Sequence, residues 1–75
     1  MAENGKKKYD PRRELLRALM YRVQQDQYPS VAMLDIIEEL LEPDEVPAYV
    51  EMMLGRVRAE TYPSLQMIRR VKQLL

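Results

Sequence analysis

The residue types that do chemistry are sparse in this chain. Its serines are Ser30 and Ser64, and it contains neither His nor Cys. Nucleophilic catalysis sets a hydroxyl or thiol beside a base, most often His, so neither serine has the usual activating partner. Both sit in Tyr-Pro-Ser tripeptides, Tyr28-Pro29-Ser30 and Tyr62-Pro63-Ser64, where a serine oxygen serves well as a helix cap. The two glycines, Gly5 and Gly55, are far apart and make no glycine-rich cradle for phosphate. Zinc and haem sites rest on thiolate or imidazole ligands, which the chain lacks. Carboxylates do cluster at Asp35, Glu38, Glu39 and Glu42, but on what should be the solvent face of a helix. The expectation is a protein that is not an enzyme, without catalytic residues, cofactor or metal.

Charge distribution is more informative. The two tripeptides are 34 positions apart, and at that offset Asp10 falls on Asp44, Arg22 on Arg56, Val23 on Val57, Met33 on Met67 and Leu40-Leu41 on Leu74-Leu75. At the same offset Asp35 meets Arg69, Glu38 meets Lys72 and Ile36 meets Arg70. One outer surface is thus acidic in the first half and basic in the second. Such faces keep a Leu-rich bundle soluble, and they can also select a partner or align two copies of the chain. Tyr21, Ile36 and Met52 fall outside the helical apolar stripes, and six Met in 75 residues suit an adaptable contact surface. The candidate partner interface is therefore Tyr21, Ile36 and Met52 with Asp35, Glu38, Glu39, Arg69, Arg70 and Lys72.

A nucleic-acid surface is the alternative, built from Arg69, Arg70 and Lys72 with the run Lys6-Lys7-Lys8. Phosphate binding grows with summed positive charge, however, and twelve basic residues here balance twelve acidic ones. Base reading also needs suitable residues near a helix start, and only Gln66 is well placed.

Four helices must position these residues. Asp10-Pro11 opens the first, with Asp as cap and Pro where its missing N–H costs nothing. Leu15, Leu16, Leu19, Met20 and Val23 form its stripe, and Arg12, Arg13, Arg17 and Arg22 lie outside it. Pro29 forbids helix at Tyr28, whose ring is expected to fold back over the corner while Ser30 caps helix 2. Met33, Leu34, Ile37, Leu40 and Leu41 follow, ended by Glu42-Pro43. Asp44 should repeat the cap of Asp10 and start helix 3, with Pro47 in its first turn. Its stripe is Val46, Tyr49, Val50, Met53, Leu54 and Val57, of which Val50, Leu54 and Val57 should match the buried Leu16, Met20 and Val23. Ser64 caps helix 4, with Leu65, Met67, Ile68, Val71, Leu74 and Leu75. The expected fold is all-α: two duplicated αα-hairpins, residues 10–41 and 44–75, forming a compact four-helix bundle. The offset equals the period of tetratricopeptide repeats, but their Trp-Leu-Gly-Tyr and Ala-Phe-Pro pattern is absent.

A chain of 75 residues supports only a marginal core. Lacking disulfides, it must gain stability from helix packing or from association, for example a two-fold homodimer in which helix 2 of one copy meets helix 4 of the other. Residues 1–9 are expected to be a disordered basic tail ahead of a single helical domain, residues 10–75. No apolar leader segment and no run of eighteen apolar residues is present, which disfavours secretion and membrane spanning. The lack of Cys fits a reducing compartment, so a cytoplasmic location is expected. The function expected is that of a small adaptor or regulator acting through protein–protein contact, self-association included. The alternative is a small DNA- or RNA-binding regulator.

Overall fold

The computed structural model describes residues 9–75, all-helical and without strands over that range. Residues 1–8, with most of the expected tail and its Lys6–Lys8 run, lie outside the described residues. The elements are α1 (Pro11–Gln25), α2 (Val31–Leu40), a 3-10 turn (Pro43–Glu45), α3 (Val46–Ala59) and α4 (Leu65–Gln73). They divide into two units, Met1–Leu40 and Leu41–Leu75.

In the first unit the Asp10 carboxylate accepts from the Arg13 N–H at 3.3 Å, and Pro11 occupies the first helical position. At the far end of α1 the Asp26 N–H reaches the Arg22 carbonyl at 2.9 Å, and Asp26 itself is extended. Ser30 Oγ then accepts from the Met33 N–H at 3.3 Å, satisfying one of the donors a helix start leaves free. Such a cap contributes about 0.5–2 kcal/mol. α1 and α2 pack together, burying Leu16, Val23, Leu34 and Ile37.

Arg12 ties the two ends of this hairpin. Its Nη1 donates to the Leu40 carbonyl at 2.7 Å, where the last turn of α2 has orphaned carbonyls and the negative end of the helix dipole. The bond brings the start of α1 to the end of α2, so the helices run antiparallel. Leu41, expected to extend the stripe, lies beyond the helix and is half-buried.

The second unit starts differently from the first. Asp44 does not repeat the cap of Asp10. It lies inside the 3-10 turn, which Glu42 precedes and Pro43 opens, and the Glu42 N–H donates to Glu45 Oε1 at 3.0 Å. This reciprocal box between Glu42 and Glu45 takes the place of an Asp cap, because a second Pro at Pro43 fixes the helical φ three residues early. α3 continues directly from the turn, packs on α4, and ends with the Glu60 N–H on the Arg56 carbonyl at 3.2 Å. An i,i+4 pair from Arg56 Nη2 to Glu60 Oε2 at 3.5 Å lies over the same turn. Ser64 Oγ caps α4 through the Met67 N–H at 3.3 Å.

The buried residues of this unit are Tyr49, Met53, Met67 and Val71. Val50, Leu54 and Val57, expected to be buried, are half-buried. Neighbouring apolar positions one residue apart lie 100° around a helix, so a wide stripe leaves the inward direction open. Tyr49 and Met53, four residues apart on one face, occupy it.

At both corners Tyr28 and Tyr62 are exposed, 84% and 90%, rather than folded back over the helices. The half-buried residues there are Pro29 and Pro63. A residue before Pro is held extended, and in extended chain successive side chains point to opposite sides, so an inward Pro sends the Tyr outward.

Gly55 lies within α3, exposed, with nothing within 4 Å of where a Cβ would stand. Gly55→Ala therefore removes a flexible residue from a helix interior without a clash. It should raise stability by about 0.5–1 kcal/mol, read as a higher urea midpoint with an unchanged slope.

Candidate functional site

The residues singled out for contact fall on all four helices. On α2, Val31, Ala32, Asp35, Ile36 and Glu39 are all exposed and recur at the three- and four-residue spacing of one helix side. Ile36, 44% exposed, lies between Asp35 and Glu39 along the helix, and both carboxylates are on the same side of it around the axis. Glu38 is half-buried, turned toward the flank of this face.

On α4, Leu65, Ile68, Arg69 and Lys72 are exposed at the same kind of spacing. Arg70 is half-buried and so stands apart from them. Asp35, Ile36 and Glu39 are thus exposed together on α2, and Arg69 and Lys72 together on α4. Tyr21 is exposed on α1, and Met52 is half-buried on α3.

Val31, Leu65 and Ile68 belong to these faces and were not among the sequence-chosen contact residues. Leu65 and Ile68 were counted in the apolar stripe of α4. The buried pair Met67 and Val71 sets the inward direction, and Leu65 and Ile68 sit about 200° and 100° away from Met67 on the helical wheel. The available signal was the spread of the stripe itself, because Leu65, Met67, Ile68 and Val71 of α4 span about 160° of a helical wheel and cannot all face inward.

The carboxylates of Glu42, Asp44 and Glu45 lie within 4.8 Å of one another at the 3-10 turn. Glu42 and Asp44 are exposed, and Glu45 already accepts from the Glu42 backbone. Hard divalent cations such as calcium take six to eight oxygen ligands, so this cluster supplies a fraction of a coordination sphere, and its arrangement follows from capping. Among the described residues no helix is long and apolar enough to cross a membrane.

No protein-family model matches this chain, and comparison with curated proteins and with solved structures finds no match.

Proposed function

We propose that this chain is a small non-catalytic helical module that works by docking to another protein through the exposed faces of α2 and α4. One observation carries the reading. Large apolar side chains, Val31 and Ile36 on α2, Leu65 and Ile68 on α4, stand in water among charges of a single sign on each helix. Exposed apolar side chains beside charged ones suit a protein interface, in which the charges direct orientation and partner choice. We also read the two hairpins as copies of one unit at the 34-residue offset, with their second helices diverged to opposite charge. The cytoplasm is the setting we infer, since a chain without Cys fits a reducing compartment.

Binding to a random fluorescent DNA duplex, measured by anisotropy across a salt series, tests the docking reading against nucleic-acid binding through Arg69 and Lys72. A chain with twelve basic and twelve acidic residues is expected to leave the anisotropy flat even at low salt. Binding that weakens steeply as salt rises, the mark of released counterions, would replace the protein-docking reading with the nucleic-acid one.

A further inference from the structure

We infer that the partner of these faces is a second copy of this chain, with α2 of one copy lying parallel beside α4 of the other. The inference rests on the docking reading above and names its partner.

Charge complementarity selects the pairing. The α2 face carries Asp35 and Glu39, and the α4 face carries Arg69 and Lys72, all exposed. Pairing α2 with α2 sets acids against acids, and α4 with α4 sets cations against cations, each unfavourable. Only α2 against α4 places opposite charges together.

Register selects the direction. In a parallel arrangement Val31 lies beside the other copy's Leu65, Asp35 beside Arg69, Ile36 against Ile68, and Glu39 beside Lys72. Every apolar residue then meets an apolar one and each carboxylate meets a cation. In an antiparallel arrangement centred on Ile36 and Ile68, only Asp35 and Arg69 still match, while Glu39 faces Leu65 and Lys72 faces Ala32. A helix of ten residues is about 15 Å long, so one such contact lies at the weak end of stable interfaces. Because the contact joins two different surfaces, it closes when both pairings form at once and otherwise extends head to tail.

Sedimentation equilibrium on the native chain and on two charge-reversed variants tests this. The variants are Asp35→Lys with Glu39→Lys, and Arg69→Glu with Lys72→Glu. All four positions are exposed, and helical circular dichroism checks that each variant is folded. The native chain should associate at about 10–200 µM, and each variant alone should do so at least about tenfold more weakly. Mixed in equal amounts the two variants should recover native association, because each then presents the charge that the other needs. In this cysteine-free chain, Val31→Cys should form disulfides with Leu65→Cys copies in preference to Gln73→Cys copies.

A folded native chain that stays monomeric overturns the self-pairing, as does association that the charge reversals leave unchanged or a mixture that fails to restore it. Preference for Gln73→Cys overturns the parallel direction. The duplex DNA titration separates the two levels. Without DNA binding, a monomeric chain leaves the docking reading standing with another protein as partner, whereas steep salt-dependent DNA binding removes that reading itself.

Discussion

Tyr49→Ala should lower the unfolding free energy by about 3–5 kcal/mol, the range for deleting a large buried aromatic. Tyr49 is fully buried on α3, one turn before the equally buried Met53. A domain of this length has a total stability of about 4–11 kcal/mol at the usual 0.05–0.15 per residue, so the loss is comparable to the whole. Urea titration followed by circular dichroism should show a variant that is partly unfolded in buffer. Tyr49→Phe keeps the ring and gives up only the hydroxyl, and should cost about 0.5–1.5 kcal/mol. The adjacent Val50 is half-buried, and Val50→Ala should cost far less than Tyr49→Ala. The reverse order would place the inward face of α3 one residue further round, where periodicity alone would have put it.

That comparison marks the boundary of what the amino-acid order made legible. Helix existence was readable because each start carries its own chemistry. Asp10, Ser30 and Ser64 all cap the helices they precede, and Pro at Pro11, Pro29 and Pro63 punctuates the chain where helices begin. Rotation of each helix about its axis was not readable. Tyr49-Val50 and Met52-Met53-Leu54 offer apolar side chains in adjacent directions, and the choice among them depends on what packs against α3. The same ambiguity hid Leu65 and Ile68, which complete the exposed face of α4.

Two further features depended on contacts between residues distant in sequence or on competing local signals. Arg12 was one of several arginines outside the apolar stripe of α1, yet it bonds to a carbonyl 28 residues away. Asp44 aligned with Asp10 at the 34-residue offset, but Pro43 just ahead of it starts a 3-10 turn that Glu42 and Glu45 close. The charged contact residues were the more legible part of the candidate site. Opposite charge at the 34-residue offset is visible in the letters for Asp35 with Arg69 and for Glu38 with Lys72, and of these four Asp35, Arg69 and Lys72 are exposed while Glu38 is half-buried. Partial burial removed Glu38, Arg70 and Met52 from the fully exposed set.

The sharpest consequence of that rotation is on α2, where two identical residues stand side by side with opposite fates. Ile37 is fully buried, and Ile36 is 44% exposed. Ile37→Ala should cost about 2–5 kcal/mol, the transfer free energy of the deleted carbons plus the cavity left against α1. Ile36→Ala should change monomer stability by less than about 0.5 kcal/mol, as surface substitutions ordinarily do. Chemical denaturation at low micromolar concentration, where association contributes little, measures both. The contrast separates the two roles of the helix, because Ile37 and Leu34 hold α2 to its unit while Ile36 stands in water among carboxylates. At a concentration that supports association the ranking should change in one respect only. Ile36→Ala then lowers the apparent stability of the native chain through the lost contact between copies, since binding to the folded state adds to its stability by mass action. A cost for Ile36→Ala as large as that for Ile37→Ala in the dilute monomer would mean that Ile36 is part of the core, and the α2 face would lose its largest exposed apolar side chain.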